Sequence, residues 1–168
     1  MPLLIRSAVM ADLPELARVY AAAKAFMRAH GNPNQWNTVY PDPETLTEDI
    51  AAGTLFAVEE SGAARGVFAL IPGPDPDYAV IDGAWIDDQP YGVIHRIASD
   101  GLSHGVFAAC LAFARRSYRT LRMDTHKDNR VMQALAEKNG FVYCGVVHLH
   151  GVGPRMAYQW NAPSVRAN

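Results

Sequence analysis

The sequence predicts an α/β fold, and three observations carry the prediction. Between Tyr91 and Arg116 the hydrophobic period changes from strand-like to helix-like: Tyr91 to Ala98 is rich in β-branched and aromatic residues, and after Gly105 the residues Phe107, Cys110, Leu111 and Ala114 recur at three- and four-residue spacing. A second passage from strand to helix follows between Leu121 and Asn139. Apolar runs joined at Ser61-Gly62, and again across Gly151-Val152-Gly153-Pro154, read as hairpins.

The elements follow in order. Pro2 to Val9 is a predicted first strand, and Asp12 caps a helix whose third position, Glu15, completes a capping box. Leu13, Leu16, Ala17, Tyr20 and Met27 give that helix an apolar stripe, and Gly31-Asn32-Pro33 ends it. After the polar and aromatic segment Gln35 to Pro41, Asp42 and Pro43 open a second helix that stops at Gly53. Thr54 to Glu59 and Arg65 to Ile71 form the first hairpin, and the proline-rich run Pro72 to Asp77 breaks it off. A short strand is predicted around Tyr78 to Ile81, before the polar run Asp82 to Pro90. Leu121 to Asp124 suits a buried strand, and Asp128 or Asn129 caps a helix ending at Gly140. Phe141 to His148 and Arg155 to Trp160 make the last hairpin. The expected organisation is one domain over residues 1–160 and a tail over residues 161–168.

Composition narrows the function. The 168 residues carry 15 Lys and Arg against 17 Asp and Glu, a formal charge of -2, so no global field favours nucleic acid or an anionic membrane. Cys110 and Cys144 lie in apolar surroundings with no disulfide pattern, which fits a reducing cytoplasm. No signal peptide or membrane-spanning run is expected. A small, near-neutral partner is the natural expectation, with room for a homodimer.

Ser99-Asp100-Gly101-Leu102-Ser103-His104 joins the central strand to its helix. A short loop entering a helix turns several unpaired N–H groups toward one spot, where the dipole adds positive potential, so a phosphate would suit it. The motifs Ile94-His95-Arg96-Ile97-Ala98, Asp124-Thr125-His126 with Asp128-Asn129, and Glu137-Lys138-Asn139-Gly140-Phe141, in this order of elements, resemble the GCN5-related N-acetyltransferases. The resemblance covers nearly the whole chain. It implies a mixed, mostly antiparallel central sheet flanked by helices, with two central strands splayed apart, and acetyl-coenzyme A as cosubstrate with no metal. It further implies that the pantetheine arm lies between the splayed strands near Ile97, Ala98 and Ser99. The pyrophosphate would then lie on the loop at Ser103, His104, Gly105 and Val106, with Asn129 as a further contact. The reaction implied is transfer of an acetyl group to a primary amine of a small molecule or peptide by direct attack.

The sequence departs from the family at two places. Where its loop reads Arg or Gln, Gly, any residue, Gly, this chain has Leu102, Ser103, His104 and Gly105, and where many members carry a tyrosine acid it has Ala136. Tyr143 and Tyr91 are the substitutes the sequence offers for that acid. His95, two residues before Ile97, matches a position that resembles a histidine base in the arylalkylamine acetyltransferases. Imidazole titrates near neutrality and can take a proton from an incoming ammonium, although a histidine bonded inside the sheet would read the same way. Arg96 is expected on the opposite strand face as an ion-pair former. His148 and His150 lack a third ligand with metal-site spacing. For the acyl acceptor, the variable segments offer Trp36, Tyr40, Asp82 and Trp85, an aromatic wall with a carboxylate that favours a cationic amine. Ser103 and Ala136 also fit a different protein, one of the same fold that binds coenzyme A or a protein partner without turnover.

Overall fold

The computed structural model describes residues 2–37 and 39–164. Strand β1 (Leu4–Ser7) passes through a 3-10 turn (Met10–Asp12) into helix α1 (Leu13–Ala29), and α2 (Pro43–Ala52) precedes β2 (Leu55–Glu60) and β3 (Ala63–Pro72). A second 3-10 turn (Pro76–Tyr78) and the two-residue β4 (Asp82–Gly83) lead to β5 (Gly92–Ser99) and α3 (Val106–Arg115). The chain ends with β6 (Thr120–Thr125), α4 (Arg130–Lys138), β7 (Val142–Leu149) and β8 (Gly153–Asn161).

The strands form one sheet in the order β1-β2-β3-β5-β6-β8-β7-β4. Every neighbouring pair is antiparallel except β5 and β6, which run parallel. Alternation along β2 sorts its side chains between the two faces. Leu55 and Ala57 join Leu16, Val19, Tyr20 and Leu46 under α1 and α2, whereas Val58 joins Phe107, Cys110 and Leu111 under α3. The sheet is thus covered on both sides, giving three layers, and a third apolar cluster gathers Tyr78, Val93, Val147 and Ala157.

Two irregularities shape the centre. Strands β5 and β6 pair only at Gly92 with Leu121 and Val93 with Arg122, so their later residues part. On the other edge of β5, Ala98 pairs with Val67 and His95 with Ala69, leaving Arg96 and Ile97 opposite the single residue Phe68. This is a β-bulge, with Arg96 in the left-handed region at φ 52. A non-glycine residue there costs about 1–3 kcal/mol, and the contacts of Arg96 offset it: its guanidinium forks onto Asp49 at 2.9 Å twice, and its carbonyl accepts from Tyr20.

The caps of α2 form as the sequence indicates: Asp42 accepts from the Thr45 amide at 3.0 Å, and Gly53 takes φ 72. The capping box expected at Asp12 and Glu15 does not form. Asp12 instead accepts from the Val9 amide and pairs with Arg6 at 2.8 Å, which fastens the first 3-10 turn, while Glu15 pairs with Arg18. Nor is there a strand at Tyr78 to Ile81. Tyr78 closes a 3-10 turn and is 1% exposed, so burial of one large ring, rather than a ladder, fixes this segment. The expected tail starts one residue late, because Asn161 still pairs with Thr120; residues 165–168 lie outside those described.

Candidate active site

His95 projects from β5 just ahead of the bulge, and three side chains from distant segments meet it. Its Nε2 lies 2.9 Å from Asp75 Oδ2, in the loop after β3, and its Nδ1 lies 4.0 Å from Asp124 Oδ2 on β6. The Tyr78 hydroxyl donates to the same Asp124 oxygen. The bond from His95 holds Asp75 below the usual carboxylate range. Asp75 is therefore an acceptor only, which places the proton of a neutral imidazole on Nε2 and leaves Nδ1 as the basic nitrogen. Burial pushes Asp124, whose side chain is 7% exposed, above the usual carboxylate range, with His95, the Tyr78 hydroxyl and Arg155 drawing it back. Burial likewise raises the Tyr78 phenol far above its ordinary value, so this tyrosine keeps its proton.

Asp75, His95 and Asp124, but not Tyr78, border a cavity of about 510 Å³ whose walls also include Trp36, Tyr40 and Arg155. Gln35 ties the cavity rim together: its Oε1 accepts from Asn32 Nδ2, Thr125 Oγ1, the His126 amide and Asn129 Nδ2 at 2.9–3.3 Å. A smaller, mostly apolar space of about 140 Å³ lies between the end of β5 and helices α1, α3 and α4, lined by Ile97, Ala98, Ser99, Val106 and Phe107 with Asn32 and Asn129. The two spaces share Met27, Ile97, Asn129 and Met132 as walls, so they are neighbours. Asn32 is 3% exposed and its Oδ1 has no partner, an acceptor left open beside the smaller space.

The loop from β5 to α3 is braced by side chains. Asp100 is held by Arg18 and Arg65 at 3.1 Å each and accepts from the Leu102 amide, Ser99 Oγ accepts from the Gly101 amide, and Ser103 donates to Glu60 at 2.6 Å. With the Gly101 and Leu102 amides engaged, an anion is left the amides from Ser103 onward into the first turn of α3. Gly105 opens that helix at φ 77 with no side-chain cap, and His104 and Gly105 are exposed.

Of the residues singled out in the sequence, His95, Trp36 and Tyr40 lie around the larger cavity, Ala98, Ser99 and Val106 around the smaller one, and Ile97 and Asn129 around both. Asn129 also caps α4 through the Met132 amide at 3.0 Å. Tyr143 is placed elsewhere: it is 48% exposed on β7, edge-on to Tyr158, and borders neither space. Tyr91 instead donates no proton toward His95; its hydroxyl accepts from the Asp75 amide. Asp82 is exposed in β4 against β7. Trp85 lies over the Arg122 guanidinium and donates to the Tyr78 carbonyl, sealing the sheet rather than facing the cavity. Asp75 and Tyr78 sit in a proline-rich loop with no motif of their own, and only the folded sheet brings them to His95. Among the described residues no group of three or more His, Cys, Asp or Glu could hold a metal, and no helix is long and apolar enough to cross a membrane.

A mixed sheet whose two parallel strands part, with a polar cavity lined by both strands and an apolar space beside it, defines the fold of an acetyltransferase, and comparison of the whole chain agrees. A GNAT-family acetyltransferase from Streptococcus agalactiae superposes with a TM-score of 0.84 at 28% identity over 96% of both chains. A GNAT-family acetyltransferase from Listeria monocytogenes gives 0.67 at 18% identity over 95% of this chain and 94% of that one. The ribosomal-protein-S18-alanine N-acetyltransferase of Escherichia coli gives 0.64 at 17% over 99% and 98%. No family model matches the sequence, and no curated protein matches it significantly. The chain belongs to the GCN5-related N-acetyltransferase superfamily.

Proposed function

We propose that this protein is an acetyl-coenzyme A-dependent N-acetyltransferase that modifies a primary amine by direct attack on the thioester. The observation that supports this reading most is that a mostly apolar space and a polar cavity lie side by side, with Ile97, two residues from His95, in the wall of both. The residues suit the coenzyme. The walls of the smaller space are mostly apolar, the unpartnered Asn32 Oδ1 can accept from a pantetheine amide, and the uncapped start of α3 can receive phosphate. When bound, the coenzyme supplies an acyl group activated as a thioester.

The side chains of the cavity then have separate tasks. Asp75 orients the imidazole and keeps Nδ1 free, His95 Nδ1 takes a proton from the incoming ammonium, and the carboxylates on either side stabilise the imidazolium that results. Tyr78 fixes Asp124 and is a positioning residue. Ala136 is fully buried in α4 and Tyr143 lines neither space, so in this reading the thiolate leaves without a dedicated acid. Calorimetry with acetyl-coenzyme A tests the reading: we expect binding, weakened severalfold in Asn32→Leu. No binding at millimolar ligand would sink the proposal, and binding without transfer to any amine would favour a non-catalytic member of the fold.

A further inference from the structure

Arg155 on β8 is 6% exposed, borders the larger cavity, and has no carboxylate within 4.0 Å among the described residues. Its Nη1 and Nη2 donate to the carbonyls of Pro154 and Gln35, both at 3.0 Å. Two such bonds leave three of the five guanidinium donors without a protein acceptor among the described residues. The other inward arginines of the sheet are balanced differently. Arg96 forks onto Asp49, and Arg122 lies between the rings of Trp85 and Tyr91 at 4.1 and 4.0 Å while bonding to Gln159. A largely buried guanidinium that faces a cavity rather than an anion loses part of its hydration, which costs stability. Burial lowers its pKa from the usual arginine range, with only the more distant Asp124 and Tyr40 pulling the other way.

The position of Arg155 gives that cost a use. Asp124 stands opposite Ala157 in the β6–β8 ladder, so Arg155, two residues away on the same face, is its diagonal neighbour at about 7 Å between Cβ atoms. Asp124 in turn lies 4.0 Å from the basic nitrogen of His95. A site that deprotonates an ammonium and a site that lacks an anion therefore face one cavity, within the span of one small molecule.

Resting on the acetyltransferase reading, we infer that the acyl acceptor is an amino carboxylate, whose amine goes to His95 and whose carboxylate pairs with Arg155. Arg155 is thus a specificity-determining residue. The carboxylate could come from a free amino acid or from the C-terminus of a short peptide, and both present the same fork of oxygens to the guanidinium.

Steady-state kinetics with matched acceptors test this: free amino acids, their carboxamides, the corresponding decarboxylated amines, and dipeptides. We expect kcat/KM for the acids to exceed that of their amides and amines by about tenfold to a hundredfold, the worth of hydrogen bonds to a charged group. Dipeptides outperforming free amino acids would assign the carboxylate to a peptide. Arg155→Gln should erase the preference by raising the acceptor KM, leaving the coenzyme KM unchanged. Equal use of acid and amide by the parent enzyme, which needs no variant to fold, would overturn the inference and leave the acetyltransferase standing. A change confined to the coenzyme KM in Arg155→Gln would overturn it too. Failure to acetylate any acceptor would remove the acetyltransferase reading, and this inference with it.

Discussion

Burial holds the Asp124 carboxyl above its usual range while the same residue faces a histidine, so at the residue scale this position sets stability against function. A carboxyl whose folded pKa is raised favours the fold fully at pH below its unfolded value, and loses that contribution as pH rises through the folded value. At neutral pH an ionised Asp124 thus weighs against folding. Asp124→Asn, which still accepts from Tyr78, should raise the melting temperature at pH 7–8, and the gain should vanish near pH 4, where the native carboxyl is protonated as well. The same change should lower kcat, because the imidazolium loses one of its two counter-ions. A melting temperature unchanged at pH 8 would contradict the burial cost. His95 could be singled out from sequence because a strand motif carries it. Asp75 could not, since Pro74-Asp75-Pro76 reads as a loop and nothing local says that its carboxylate meets a residue 20 positions on.

At the scale of elements, the bulge in β5 decides which way the central strand presents its residues. Simple alternation places Arg96 opposite His95, yet the bulge sets Arg96 at φ 52 and sends its guanidinium to Asp49 on α2 and Tyr40 in the preceding loop. The ion-pair role was legible from the residue type, but not the partner or the kink. Removing one member of a half-buried pair leaves the other uncompensated, so Arg96→Ala should destabilise the fold by about 3 kcal/mol. Chemical denaturation reads this, and a loss below ~1 kcal/mol would show the fork to be idle. Elements whose signals are local were readable: the cap at Asp42, the stop at Gly53 and the apolar stripe of α3 all stand where the sequence places them. Leu111 on that stripe is fully buried, and Leu111→Ala should cost about 2–5 kcal/mol in the same measurement. The segment Tyr78 to Ile81 is no strand because the Tyr78 ring alone is fully buried while Val80 is exposed, and short apolar runs do not distinguish the two outcomes.

Over the whole molecule, the parting of β5 and β6 is what converts a covered sheet into a site. The order of strands and helices was readable from hydrophobic period and turn residues, and the splay from resemblance alone, because no local pattern records where two parallel strands cease to pair. Around Ile97 lie two neighbouring spaces, one mostly apolar and one lined with charge. The most direct measurement is thiol release from acetyl-coenzyme A, followed with and without amine, in the parent and in His95→Ala. Amine-dependent release by the parent is expected, with kcat about 10²–10⁴ lower in the variant and coenzyme affinity unchanged. Equal rates in the two proteins would contradict the assignment of His95 as the base.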